Sequence, residues 1–360
     1  MVTVIEDSIK LQGDEWYTKT WLPEGRPKAI LVFVHGFSDH VNAYYEFFPT
    51  LAGRGIACYG YDRRGWGRSV RKGSDCGRTG PTSTVMTDIA AFVSSVLDRN
   101  SSNGNGDGPV FVMGHSMGGI DVATFMAAPA GSPREAIVRR IRGWIFEAPF
   151  FGFPAGEEPS IVKVVTGRLA GRLFPNMQLK NTIPAEYFSR DPVIVDTIRN
   201  DALCHDTGTL EGLAGLLDRV SVLASGGCVP HAAVTSIWIG HGTDDRAASY
   251  FACKKWFDSS SAAAVPDKTL RTYDGWLHQL HAEPEADRQL YYREVGDWIL
   301  AHSEKEDGDG EPSSDAASAT PPAPTPAEPA SPLATEPADP VVETEQPAAV
   351  PAGDKEESKL

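Results

Sequence analysis

An apolar run, Val110-Phe111-Val112-Met113, leads into Gly114-His115-Ser116-Met117-Gly118, and the chain continues as Gly119-Ile120-Asp121-Val122-Ala123-Thr124-Phe125-Met126. The first segment reads as a buried strand and the last as a helix. The G-x-S-x-G pattern therefore falls on a strand-to-helix turn, the one context that gives it chemical meaning. Small residues let the backbone bend sharply there. Ser116 would stand at the tip of the strand, exposed to a cleft and near a helix N-terminus.

The rest of the chain repeats the alternation. Val2 to Leu11 and Trp16 to Leu22 read as a strand hairpin. Ala29–Val34 is a continuous β-branched and apolar run, the pattern of a strand buried on both faces. A helix from Ala43 to Gly53, a strand at Ile56–Tyr61 and a helix from Thr84 to Leu97 follow. Further strands are expected at Ile141–Glu147, Thr235–Ile239 and Thr269–Tyr273, with a closing helix over Glu285–Ala301. Strands alternating with helices predict a mostly parallel central sheet with helices on both faces. Residues 1–149 and 235–302 form the two parts of this core. Between them, residues 150–234 break the alternation with apolar positions at helix-like spacing, which predicts a helical cap over the carboxyl edge of the sheet.

A serine hydroxyl is a poor nucleophile near neutral pH, so Ser116 needs a base in contact and a third group to orient that base. Two later strands lead into suitable residues. Ile237-Trp238-Ile239 runs into Gly240-His241-Gly242-Thr243-Asp244-Asp245, and Leu270-Arg271-Thr272-Tyr273 runs into Asp274-Gly275-Trp276-Leu277-His278. Loops that follow strands of one parallel sheet share one edge, which brings serine, acid and histidine together. Asp245 is preferred as the acid, with Asp244 read as a turn or capping residue. His278 is preferred as the base over His281, which reads as a packing or hydrogen-bonding residue. Two backbone N–H donors are needed for an oxyanion, and the candidates are Met117 and Phe37. His35 reads as a structural histidine that hydrogen-bonds loop backbone.

Composition sets the limits. The 58 residues from Ser303 onward hold fourteen acidic residues and three lysines and no aromatic residue, and carry −11 of the net −15. This Pro- and Ala-rich tail (303–360) buries too little apolar surface to offset its chain entropy and is expected to be disordered. The near-neutral body argues against nucleic acid as a partner. Arg63, Arg64, Arg68, Arg71, Lys72 and Arg78 read as a solvated loop face. Five scattered cysteines show neither metal-ligand nor disulfide spacing, which suits a reducing interior. No apolar signal segment opens the chain and no run reaches membrane-spanning length, so any lipid contact is expected to be peripheral. Ser358-Lys359-Leu360 matches the tripeptide read by the peroxisomal import receptor. The expected location is the peroxisome, with the cytoplasm as the alternative.

The body resembles the monoacylglycerol lipase branch of the α/β-hydrolases, also catalogued with the serine aminopeptidase-like hydrolases. The resemblance rests on His35-Gly36 after a strand, Asp62-Arg63-Arg64-Gly65-Trp66-Gly67-Arg68-Ser69, Gly114-His115-Ser116-Met117-Gly118-Gly119, Asp245, and Asp274-Gly275-Trp276-Leu277-His278-Gln279-Leu280-His281. It spans residues 15 to 302. It implies an α/β-hydrolase fold with a helical cap, an apolar acyl tunnel and hydrolysis of monoacylglycerols or similar lipid esters through Ser116, His278 and Asp245, without metal or organic cofactor. Phe151, Phe153, Ile161, Val165 and Leu169 are candidates for the tunnel wall. Two departures bear on the substrate: Ala202 stands where proline is usual in Asn200-Asp201-Ala202-Leu203-Cys204-His205-Asp206, and Arg246-Ala247-Ala248 lacks the usual apolar and cysteine positions. The rival readings are another acyl transfer on this fold (acyl-CoA thioester hydrolysis, an aminopeptidase or an acyltransferase) and a catalytically inactive binding protein.

Overall fold

The computed structural model describes residues 1–102, 108–158 and 160–304, without the side chains of residues 102 and 161–165. The tail and its Ser358-Lys359-Leu360 lie outside the described residues.

Among the described residues, ten strands and ten α-helices follow in chain order: β1 (Thr3–Leu11), β2 (Asp14–Leu22), β3 (Ala29–Val34), α1 (Phe47–Gly53), β4 (Ile56–Tyr61), α2 (Thr82–Ser102), β5 (Val110–His115), α3 (Met117–Met126), α4 (Pro133–Val138), β6 (Ile141–Glu147), α5 (Ile161–Leu173), β7 (Gln178–Lys180), α6 (Pro192–Asn200), β8 (Thr207–Thr209), α7 (Leu210–Ala224), β9 (Ser236–Gly242), α8 (Tyr250–Phe257), α9 (Ser260–Ala263), β10 (Asp267–Tyr273) and α10 (Glu285–Ser303). Eight strands make one sheet in the order β1-β2-β4-β3-β5-β6-β9-β10. The β1/β2 and β2/β4 pairs are antiparallel, and every pair from β4 to β10 is parallel.

Strand β3 is apolar at every position because both of its faces are covered. In β3, Ile30, Val32 and Val34 enter one buried cluster with residues of α2 and α3, while Ala29, Leu31 and Phe33 enter the other with residues of α1 and α10. Successive side chains of a strand point to opposite faces, so one six-residue run supplies both cores. The order around β3 also fixes the site. Strand β4 lies on one side of β3 and β5 on the other, so the chain switches direction there. A crevice opens beyond the carboxyl ends of β3 and β5, where open α/β sheets bind ligands.

The helix expected over Ala43–Gly53 is interrupted. Val41–Tyr44 forms a short 3-10 turn, Tyr45 takes φ 43°, and α1 starts only at Phe47. Between β6 and β9 the chain forms α5, α6, α7 and the antiparallel β7/β8 ribbon. Local signals start two of these helices. Asp191 caps α6 by accepting from Val193 N–H at 2.9 Å, ahead of Pro192 at the first turn, and the Thr209 hydroxyl caps α7 by accepting from Gly212 N–H.

Candidate active site

Ser116 links β5 to α3 at φ 54° and ψ −120°, a left-handed backbone conformation that costs a non-glycine residue energy. The turn is held by hydrogen bonds on both sides. Ser116 N–H donates to Glu147 carbonyl at 3.0 Å, and its carbonyl accepts from Gly119 and Phe150 N–H at 2.9 Å. The flanking glycines have a steric reason. A Cβ on Gly114 would lie 2.5 Å from the Gly118 carbonyl oxygen, and one on Gly118 would lie 2.2 Å from that of Val34. These contacts let the start of α3 press against the ends of β3 and β5 and lift the serine over the sheet edge. A Cβ on Gly36 would lie 3.0 Å from Ser116 Cβ, so the loop after β3 passes beside the serine. Met117 is the first residue of α3, and its N–H has no partner within that helix. Phe37 lines the same cavity as Ser116.

The loops after β9 and β10 bring Asp245 and His278 together. His278 Nδ1 lies 2.8 Å from Asp245 Oδ2, with both side chains buried. The other carboxylate oxygen, Oδ1, accepts the N–H groups of Ala247 and Ala248, each at 2.8 Å. Burial alone would raise the Asp245 carboxyl, but the rings of His278 and His241 and their hydrogen bonds hold it well below the usual carboxylate range. Since Nδ1 of His278 is engaged by Asp245, Nε2 is the nitrogen left for Ser116, and both residues line one cavity. The two competing residues have other partners. Asp244 is exposed and its N–H meets the Trp276 carbonyl. His281 is buried against Glu147, with Nδ1 at 2.7 Å and N–H at 3.0 Å from Oε1, and its ring stacks on Tyr44 at 4.2 Å.

The cavity, about 290 Å³, lies between the sheet edge and the segment that joins β6 to β9. From the core it takes Phe37, Ser116 and His278. The apolar wall on the other side is Ile183, Pro184, Phe188 and Ile198. The wall expected from the sequence is therefore displaced. Phe151 is 1% exposed and packs on Phe146 and Trp256 in the core, because the chain turns back into the body at Ala148, with φ 39°. Phe153 packs edge-on against Phe150 at 4.9 Å. Leu169 on α5 is 59% exposed. None of these three lines the cavity. The side chains of Ile161 and Val165 lie outside the described residues. Helical spacing marks an apolar face but does not say what that face meets.

A buried polar layer supports the loop after β3. Asp39 accepts from Tyr44 O–H at 2.5 Å and from His40 N–H at 2.7 Å, and Tyr44 Oη lies 2.7 Å from His115 Nδ1. His35 accepts from Arg63 N–H through Nε2 at 2.9 Å and donates from Nδ1 to the Gly36 carbonyl at 3.0 Å. One ring nitrogen accepts and the other donates, which is the neutral imidazole. Burial agrees, pushing its pKa down to about 3. The segment after α6 clasps this loop from above. Ser38 Oγ donates to Asp206 Oδ1 at 2.9 Å and accepts from Asp206 N–H at 2.8 Å, and the His205 ring stacks on Trp66. His40, Asp201 and Cys204 place three potential metal-ligating atoms within 4.8 Å of one another. His40 Nδ1 accepts from Asn42 N–H, however, so Nε2 carries the proton and donates it to Asp201 at 2.8 Å. His40 and Asp201 are thus engaged with each other as a hydrogen-bonded pair.

A parallel sheet with a serine on a strained strand-to-helix turn, facing a buried histidine–carboxylate pair, is the architecture of an α/β-hydrolase. Comparison with known proteins gives the family. The family model described as serine aminopeptidase, S33, matches residues 25–285, and the chain belongs to that family. It is 31% identical over 292 residues to the "Putative monoglyceride lipase" of Schizosaccharomyces pombe, covering 80% of this chain and 71% of the relative. It is 27% identical over 294 residues to the monoglyceride lipase of Mus musculus, covering 81% and 88%. A solved structure of a soluble variant of the Saccharomyces cerevisiae monoglyceride lipase, in complex with a substrate analog, superposes with a TM-score of 0.72 at 18% identity, over 84% of this chain and 96% of that one. The protein is a carboxylic ester hydrolase of the monoglyceride lipase-like group.

Proposed function

We propose that the protein hydrolyses monoacylglycerols or closely similar neutral lipid esters by a serine mechanism. The observation that carries the reading is Ser116 facing the same cavity as His278, whose far nitrogen is held by buried Asp245. Ser116 Oγ attacks the ester carbonyl carbon as His278 Nε2 takes its proton. The carbonyl oxygen becomes an oxyanion held by the N–H groups of Met117 and Phe37. The C–O bond to the alcohol breaks, and His278 returns the proton to the leaving oxygen. Water, deprotonated by His278, then attacks the acyl-enzyme and releases the acid and Ser116.

Charge around the cavity bears on the leaving group. Asp39, Glu186, Asp201 and Asp206 border it, and Arg199, which also borders it, is tied to Glu186 and Asp196. An acidic rim repels the phosphates of an acyl-CoA and accepts a neutral glyceryl head. It also suits a protonated α-amine, so an aminopeptidase is the second reading. Purified protein should react with a fluorophosphonate probe at Ser116. It should turn over monoacylglycerols at least tenfold faster, in kcat/KM, than acyl-CoA or aminoacyl anilides. Preferential cleavage of the anilides would replace the first reading by the second, and failure to label would remove both.

A further inference from the structure

Asp245 serves two histidines through a single oxygen. Oδ2 lies 2.8 Å from His278 Nδ1 and 3.1 Å from His241 Nε2, while Oδ1 accepts the Ala247 and Ala248 N–H groups. Four donors therefore converge on one buried carboxylate. His241 sits on β9, four residues before Asp245, and is fully buried. Strand β9 is flanked by β6 and β10, and its register pairs Thr272 of β10 with His241. The strand holds the backbone of His241 in place beside the carboxylate. Its surroundings are Asp245, the Ala248 carbonyl at 3.4 Å, the Tyr250 ring at 5.8 Å and the buried Cys253 thiol. On the far side of the carboxylate, His278 faces Ser116 in the cavity, the His115 ring at 4.9 Å and the Phe188 ring at 5.6 Å.

We propose that His241 is a positioning residue for the serine site: it pins the shared oxygen of Asp245 against His278 and draws negative charge away from it. This rests on the reading of Ser116, His278 and Asp245 given above. A carboxylate oxygen that accepts two N–H bonds has less density for each, so the charged form of His278 gains less from Asp245 than it would from a carboxylate of its own. Burial works against a charge on His241, but Asp245 and Cys253 beside it outweigh burial and push its pKa up to about 9. A cation there repels a second cation forming on His278 across the same oxygen. Both effects favour neutral His278, the form that can take the Ser116 proton. His241 touches neither Ser116 nor the cavity, so it acts only through Asp245.

Two variants separate its parts. In His241→Gln a neutral amide keeps an N–H donor near Oδ2 and the charge is lost. In His241→Leu donor and charge are both lost. The acid limb of the kcat/KM profile should move to higher pH by about half a unit or more in His241→Gln, with kcat at its plateau within about threefold of wild type. His241→Leu, which loses both effects, should show a displacement at least as large and a plateau kcat lower by about 10- to 100-fold, the loss of a hydrogen bond to a charged group. A residue that merely packs would lower kcat and thermal stability with the acid limb unmoved, and that result overturns the proposal. If His241→Leu does not fold, His241→Gln carries the test alone. The readout that does not need turnover is the NMR titration of the His278 ring in Ser116→Ala, with and without His241→Gln. An unmoved His278 titration defeats the role of His241 whatever the reaction is. A moved titration in a protein whose wild type fails to label at Ser116 would leave the His241–Asp245–His278 coupling intact and remove the serine mechanism.

Discussion

The core and the segment that covers it are built on different terms. The sheet buries β3, β5 and β9 completely, and of its two apolar clusters one takes residues from β2 to α9 and the other from β2 to α10. The covering segment leaves Leu169, Leu173, Phe174 and Met177 more than half exposed. It meets the site through polar contacts at Asp201, His205 and Asp206, through the Tyr187 and Phe188 carbonyls, which accept from His278 and Gln279 N–H, and through the Phe188 ring. The core therefore holds Ser116, Asp245 and His278, while the covering segment supplies the apolar wall of Ile183, Pro184, Phe188 and Ile198. A rigid element holds a reacting atom better than a loop does. The predictions below break or sharpen that division.

The largest effect belongs to the core turn. Ser116→Ala should lower kcat by about 10⁶, with thermal stability unchanged, because one hydroxyl facing the cavity is lost and the backbone bonds of the turn remain. Intact-mass and fluorophosphonate labelling confirm loss of the nucleophile in a folded protein. Turnover above a few per cent of wild type would sink the mechanism. Next is the acid. Asp245→Asn should cost about 10⁴ in kcat, since an amide presents a donor to His278 Nδ1 and favours the wrong tautomer. Asp244→Asn, at an exposed position, should stay within about threefold. The reverse order would place the acid at Asp244.

The sequence made the core legible for a physical reason. A strand covered on both faces must be apolar at every position, so Ala29–Val34, Val110–Met113 and Ile237–Ile239 stood out, and the residues just after them had to share an edge. That argument singles out Ser116, Asp245 and His278, and the structure places His278 against Asp245 and on one cavity with Ser116. The cap offered no such rule. Its ribbon strands are three residues each, too short for a period to show. Its helical spacing could not tell a cavity wall from a packing face or an exposed one, which is why Phe151 and Leu169 were grouped although they occupy opposite environments. Tyr45, which interrupts the helix before α1, has no turn residue to announce it. His241 lay in plain view within His-Gly-x-x-Asp, but only the structure put its ring on the same oxygen as His278.

That grouping gives a third test, on stability. Phe151→Ala removes a ring packed on Phe146 and Trp256 and should cost about 3–5 kcal/mol in chemical denaturation. Leu169→Ala, 59% exposed, should change stability by about 0.5 kcal/mol or less. Equal costs would mean that the covering segment and the sheet unfold as one evenly packed body, and the contrast drawn above would fall.

The smallest effect tests a place where the two regions join beside the oxyanion loop. Ser38 directly follows Phe37 and has φ 52°, and Asp206 has φ 54°. Two residues 168 positions apart, both in a conformation that disfavours side chains, hold each other by reciprocal hydrogen bonds. Each conformation carries a cost of order 1 kcal/mol or more, so each persists only while its partner is present. The backbone that ends in the Phe37 N–H is thus partly set from the cap. Ser38→Ala deletes both bonds, and Asp206→Ala deletes one while its N–H remains. Loss of one or two bonds of about 1 kcal/mol each should lower kcat by about 3- to 30-fold, with Ser38→Ala the worse. KM for a short, soluble aryl ester should stay within about twofold, because Ser38 and Asp206 need not touch so small a substrate. The double variant should be no worse than Ser38→Ala alone, since the hydroxyl is common to both bonds. Additive losses would show that the two residues act separately. A rise in KM at constant kcat would make the clasp a wall of the substrate cavity that does not steady the oxyanion loop, and the core would then hold its donors without help from the cap.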